Sequence, residues 1–242
     1  MRKYIMTFSS LLTMIILWYV LYFTIQNSLL LPHMIDVFKA VLDIFTSALV
    51  IDIGYSVLRL LVSFTLSAML GIMFGFISWK SDGFETYSRP FVLILKTIPV
   101  VSVIVILFIL IGSDISPYLI TFSMIFPLFY QATLDGLKSI DPYLIDVLKL
   151  DEVHFTECIR YAYLPSIKSN LLITMFQSFG LGIKVLVMSE YLMQVRHSIG
   201  QQLFLAKLNL NYSMVYAWTL ILVILALMFE SLVILTKKRM AA

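Results

Sequence analysis

The chain has 242 residues, 61% of them hydrophobic and 13% charged, with a net charge of +3 and a mean hydropathy of +0.98. Soluble domains run at about 45–50% apolar and about 25% charged, so this composition excludes an ordinary water-soluble core and points to a bilayer as solvent. One cysteine, Cys158, leaves no intrachain disulfide and no multi-cysteine metal cluster.

The opening Met-Arg-Lys-Tyr leads into an apolar run that ends at Ile25 without a small-x-small cleavage pattern, which predicts a retained helix rather than a removed signal peptide. Windows of about 20 apolar residues cross a hydrocarbon core of about 30 Å. Six can be drawn, at 6–25, 56–78, 91–111, 116–134, 171–192 and 214–236, with only Gly112, Ser113 and Asp114 separating the third from the fourth. The expected fold class is therefore all-α, a polytopic membrane protein with six transmembrane helices. Arg2, Lys3, Lys80, Arg89, Lys138, Lys149, Arg160, Lys168 and the closing Lys237, Lys238 and Arg239 fall on one side of such a bundle, against Lys39, Arg196 and Lys207 on the other. The positive-inside rule then places both termini in the cytosol.

Between the first two windows, Asp36, Lys39 and Asp43 form a narrow polar stripe on an otherwise apolar segment, 34–50, as expected of a helix at the outer interface or against its neighbours. Gly71 and Gly75 make a small-xxx-small pattern that permits close helix pairing, with simple flexibility or lipid exposure as the alternative. Pro99 and Pro127 interrupt the hydrogen-bond ladder of the third and fourth windows and predict bends there. Trp18, Trp79 and Trp218 near the window ends suit anchoring at headgroup depth.

The longest segment on the basic side runs from Asp135 to Pro165. Asp141 followed by Pro142 reads as an N-cap and first helical residue. Leu144, Ile145, Leu148, Phe155, Ile159 and Ala162 supply apolar positions between charged ones, so a small folded protrusion is expected rather than a polar tether. Its apolar residues would enter a partner's groove; the competing reading is an inner collar with no partner.

Ionisable residues inside the windows are costly in lipid and must face protein, pair, or reach an interface. Arg59 lies near the outer start of the second, Lys184 near the middle of the fifth and Glu190 near its outer end. Lys184 is the leading candidate for contact with an anionic solute, with structural pairing to an acid as its rival. Gln177 and Ser178, with Gly180 and Gly182, make the fifth window a candidate pathway wall. His33, His154 and His197 stand in separate loops, no GxxxxGK[ST] phosphate loop occurs, and the basic residues form no extended nucleic-acid face, so neither a metal site, nor ATP hydrolysis by this chain, nor nucleic-acid binding is expected.

Counting back from Leu164-Pro165, the protrusion resembles the cytosolic signature of type I ATP-binding-cassette importer permeases. That signature is Glu-Ala-Ala, three residues, Gly, nine residues, Ile-x-Leu-Pro. Asp146-Val147-Leu148 stand at the opening triplet, Glu152 at the glycine and Ala162 at the isoleucine, so the acid and the Leu-Pro remain while both alanines and the glycine are replaced. Leu31-Pro32, Ser56 to Arg59, Gly71 with Gly75, Arg89-Pro90, Ile98-Pro99, Phe126-Pro127, Asp135-Gly136, Ser189-Glu190 and Ile199-Gly200 resemble, in order, the nitrate, sulfonate and taurine subgroup.

The resemblance implies a type I permease fold: an N-terminal helix at 1–30, then a permease domain at 31–239 whose coupling loop is 135–168. It implies partners: cytosolic ATPase subunits that bind the ATP, an external substrate-binding protein, and a second copy or a related permease in a bacterial or archaeal plasma membrane. It implies coupling through Asp146, Val147, Leu148, Glu152, Leu164 and Pro165, and cargo that is a small anionic or zwitterionic organic solute. A vitamin precursor is the alternative cargo, and a non-transporting membrane scaffold the alternative of another class.

Overall fold

The computed structural model describes residues 2–27, 30–150 and 154–241, and among them every regular element is helical. In chain order these are α1 (Arg2–Ile25), α2 (Met34–Thr46), α3 (Val50–Lys80), α4 (Asp82–Thr97), α5 (Val100–Ile111), α6 (Ser116–Lys138), α7 (Pro142–Leu150) and α8 (Phe155–Cys158). A π turn over Ile159–Tyr163 then leads into α9 (Leu164–Met193), α10 (Ile199–Leu208) and α11 (Tyr212–Ala241). Polar caps mark the starts of the short helices: His33 accepts from Ile35 N at α2, Ser81 from Phe84 N at α4 and Ser198 from Gln201 N at α10. Each satisfies a backbone donor that the first turn leaves without a partner.

At the centre, α3, α6 and α9 cross at contact distance. Lipid is as apolar as leucine, so close packing and interhelical hydrogen bonds, rather than removal of apolar surface from water, hold such helices together. Glycine supplies the approach: a Cβ on Gly71 would lie 2.6 Å from Phe129 Cβ, and one on Gly75 2.8 Å from Thr133 Cβ. These pairs also show that α3 and α6 run parallel. Gly136 meets Ile167, Gly182 meets Ile125, and Ser56 meets Glu190, so α9 runs antiparallel to both. The small-xxx-small pattern therefore marks a specific crossing, and Ser67 Oγ reinforces it by donating to Phe122 O at 3.2 Å. Around the crossing Phe64 packs edge-on against Phe129 and Phe179, and Phe179 stacks on Phe229 of α11 at 3.4 Å.

Two expectations change. The third window is not one straight helix: α4 ends at Thr97, Ile98 and Pro99 are extended, and α5 leaves at 100°. Pro99 has no N–H to continue the ladder, and its ring disfavours the helical region for Ile98. Pro127, by contrast, is absorbed inside a continuous α6. Trp218 is no interfacial anchor either, being fully buried beside Ala217 and Ile221 in the main core, whereas Trp18 meets Tyr216 edge-on and Trp79 meets Tyr163.

Val50–Lys80, Thr156–Met193 and Tyr212–Ser231 are long and apolar enough to cross a membrane, and the pair α4 and α5, bent by 100°, adds a fourth only where the two halves form one broken span rather than a re-entrant loop. The expected count of six is not reached among the described residues: over the first window the apolar stretch of α1, Leu12–Ile25, is shorter than a span, and α6, over the fourth, is helical but is not among the helices long and apolar enough to cross. The α6 helix carries Ser116, Thr121 and Thr133 fully buried, because it is surrounded by protein. The α2 helix turns Val37, Ala40 and Ile44 inward and Asp36, Lys39 and Asp43 outward, as its polar stripe predicts.

Candidate functional site

One end of the bundle carries the protrusion. Asp141 Oδ1 accepts from Tyr143 N at 2.9 Å, and Pro142 opens α7, the arrangement expected from Asp-Pro. Tyr143 and Leu150 are 76% and 82% exposed and Leu144 is exposed as well, while Val147 and Leu148 are half-buried. The open apolar surface thus flanks the triplet matched to the signature, starting two positions to either side of it. Asp146 lies within α7, and Glu152 falls outside the described residues. Leu164 and Pro165 are exposed at the start of α9. Pro165 cannot donate and its ring crowds the carbonyl of Tyr161, which accounts for the widened π turn just before it.

The base of the protrusion is tightly held. Tyr163 packs on Trp79 at 4.9 Å and on Phe76 at 6.1 Å, both from the last turns of α3. Leu137, Ile140 and Ile167 are buried beneath them. A Cβ on Gly136 would lie 3.0 Å from Ile167 Cα, so α6 and α9 touch backbone to backbone directly under the loop. The base of the protrusion is thus packed against the ends of α3, α6 and α9 at once.

At the far end, twenty residues along α3 and so about 30 Å away, lies a polar node. Glu190 of α9 is fully buried, and Ser56 Oγ stands 2.9 and 2.8 Å from its two carboxylate oxygens. Arg59 Nη1 lies 3.2 Å from Glu190 Oε1, with the arginine side chain 12% exposed. After α9, Gln194 and His197 take positive φ values of 52° and 51° to turn the chain into α10. That turn leaves carbonyls without partners, and Arg59 donates to two of them, Arg196 O at 3.1 Å and His197 O at 2.9 Å. Gly200 N donates to Glu190 Oε2, and Gly200 is obligatory because any Cβ there would strike Glu190 Cβ and Tyr191 N. Beside the node, Gln202 donates to the buried Asp52 at 2.7 Å, and His197 Nδ1 lies 3.3 Å from the other Asp52 oxygen.

Arg59 and Glu190, both expected at the outer ends of their spans, are thus structural partners. The scattered pieces Ser56 to Arg59, Ser189-Glu190 and Ile199-Gly200 converge here, which their spacing in the chain does not reveal. Asp52, His197 and Gln202 were not legible: each is an ordinary polar residue near a helix end until the fold brings them together. Lys184 is exposed on α9 and, among the described residues, has no hydrogen bond or ion pair; Gln177, two turns earlier on the same face, is exposed too. Gly180 between them has open space where a Cβ would stand. Structural pairing of Lys184 is not observed among the described residues. No group of three or more His, Cys, Asp or Glu side chains placed to hold a metal ion occurs among the described residues.

Residues 67–241 match the sequence profile of the binding-protein-dependent transport system inner membrane components. The chain belongs to that family, the permeases of ATP-binding-cassette importers. This permease is 27% identical over 187 residues to the putative aliphatic sulfonates transport permease protein SsuC of Bacillus subtilis, a match covering 76% of this chain and 67% of the relative. It is 24% identical to the trimethylamine N-oxide transport system permease protein TmoV of Ruegeria pomeroyi, over 135 residues and 55% of this chain, and to TmoV of Pelagibacter ubique, over 174 residues and 72%. The matches span only 20% and 24% of those two longer proteins.

Proposed function

We propose that this permease forms half of the translocation path of an ATP-driven importer for a small anionic or zwitterionic organic solute, with ATP bound and hydrolysed by separate cytosolic ATPase subunits. An external binding protein delivers the solute to the end bearing the polar node. The ATPase grips the protrusion at the other end, with both termini on its side of a bacterial or archaeal plasma membrane. In this reading 1–30 is an N-terminal helix and 31–239 the permease domain, with coupling loop 135–168.

The observation that carries the reading is the rigid base of the protrusion. Tyr163, Trp79, Leu137 and Ile167 tie it to α3, α6 and α9, so force applied at α7 tilts the helices that would line the path. Coupling of this kind needs a stiff connection between two sites, and packed aromatic and aliphatic side chains supply one. Asp146, Val147, Leu148, Glu152, Leu164 and Pro165 are the proposed coupling residues, joined by the exposed Tyr143, Leu144 and Leu150.

The cargo class rests on Lys184. An ammonium near mid-bilayer costs about 2.5–3.5 kcal/mol on insertion scales, so its face, shared with Gln177, turns to a wet path or to a second permease rather than to lipid. Sulfonates are anions and trimethylamine N-oxide is a dipolar amine oxide, so the cargoes in the relatives' names fall inside the proposed class. Arg59 and Glu190 hold the outer wall instead of contacting solute.

The test is co-purification in mild detergent followed by reconstitution. A stoichiometric ATPase, a solute receptor and ATP-dependent accumulation of a sulfonate or of trimethylamine N-oxide in sealed vesicles are expected. A complex with both partners that moves no receptor ligand would leave a scaffold in its place.

A further inference from the structure

A second charged site stands apart from the node and from Lys184. Between α4 and α6, at the end of the bundle that bears the protrusion, a cavity of about 370 Å³ opens. Its walls carry Glu85, Arg89 and Lys96 from α4 and Gln131, Asp135 and Lys138 from α6. Its floor includes Val92, Tyr130 and Leu134, all buried in one apolar cluster. Three cations face two carboxylates, so the cavity has one positive charge in excess.

The internal pairings show where that charge resides. Lys138 Nζ is satisfied by Glu85 Oε1 at 2.6 Å. Gln131 donates to Asp135 Oδ1 at 2.7 Å and accepts from Lys96 Nζ at 3.1 Å, so its amide is fixed in orientation and Lys96 keeps two donors unused. Arg89, among the described residues, has no hydrogen bond or ion pair, leaving its planar fork of donors free over the cavity. Arg89 and Lys96 are seven residues apart on one helix, about 10 Å along its axis and on the same face. Their long side chains can therefore converge on a single group.

We infer that this cavity is an oxyanion-binding site, in which Arg89 and Lys96 hold a monoanionic sulfonate, carboxylate or phosphodiester. Gln131 positions Lys96, and the Glu85–Lys138 pair closes one wall. A guanidinium and an ammonium that lack carboxylate partners, set against a low-dielectric floor, favour a charged oxygen ligand over water. The volume suits an organic anion of a few heavy atoms or a lipid headgroup. The inference rests on the importer reading only for which side of the membrane the cavity faces. It adds a site for the solute class, or for a lipid, that the Lys184 face does not provide.

The probe is ethanesulfonate, titrated calorimetrically into the full-length permease, without ATPase, in phosphatidylcholine nanodiscs. Saturable binding is expected, weakened about tenfold or more in Arg89→Gln/Lys96→Gln. Arg89→Gln alone removes no hydrogen bond or ion pair seen among the described residues, so it keeps the test valid if the double variant misassembles. In a second arm the discs contain phosphatidylglycerol, with retained lipid counted by native mass spectrometry. Phosphatidylglycerol that displaces ethanesulfonate from the native protein, or that binds where ethanesulfonate does not and is lost in the variants, identifies a lipid headgroup as the ligand. Neither ligand binding, or both binding equally to native and variant proteins, overturns the inference. Because no ATPase is present, a permease that transports normally yet binds neither probe overturns this site and leaves the proposed function intact.

Discussion

Among single residues, burial sorts the ionisable groups into structural and functional ones. Glu190 is enclosed by Ser56, Arg59 and Gly200, so both of its carboxylate oxygens have partners within the chain. Removing one partner of a buried pair leaves an uncompensated charge and costs about 3–5 kcal/mol. Arg59→Met should lose stability on that scale in detergent unfolding, while Arg59→Met with Glu190→Leu should recover much of it; a single variant as stable as the native protein would remove the pair from the fold's supports. Lys184 behaves oppositely. Lys184→Met removes an ammonium with no partner among the described residues, so stability is expected to hold or rise while uptake of an anionic solute falls; unchanged uptake would take Lys184 off the path.

For the helices, the α3 and α6 crossing depends on absent side chains. Gly71→Ala places a methyl against Phe129 Cβ and the α6 backbone, atoms that cannot swing aside, and overpacking of this kind costs about 1–3 kcal/mol. Gly54→Ala, at an exposed position of the same helix with nothing within 4 Å, should instead stabilise it, by up to about 1 kcal/mol, through helix propensity. Thermal unfolding of the two variants checks both signs. The glycine pattern was visible in the chain, but its meaning was not, since Gly54 and Gly71 look alike until a neighbouring helix is placed. Pro99 and Pro127 teach the same lesson: one ends a helix and the other is carried through α6, because packing on several sides of α6 offsets the lost hydrogen bond.

Across the whole molecule, two ends about 30 Å apart are joined by the central helices. If α7 is the grip, Tyr143→Asp puts a charge on its exposed apolar face and should abolish ATPase recovery while leaving insertion intact. Leu148→Asp, half-buried beside it, should uncouple as well. Trp79→Ala addresses the connection instead: it removes the ring under Tyr163, so the ATPase should still bind but hydrolyse ATP without solute accumulation. Normal transport in the Trp79 variant would show that force does not pass through this contact.

What the sequence determined by itself was whatever depends on neighbours along the chain. Membrane class follows from composition, helix from apolar windows long enough to cross a bilayer, the Asp141 cap from backbone chemistry, and the family from motifs in fixed order. Tertiary structure alone decided which polar groups meet. Ser56 lies far from Glu190 and Gly200 in sequence yet converges with them in one node, Trp218 passes from an expected interface to the centre of the core, and Arg89 faces a cavity without a partner among the described residues. Those outcomes depend on which face each helix turns toward its neighbours, and helix rotation is set by close packing between segments distant in the chain.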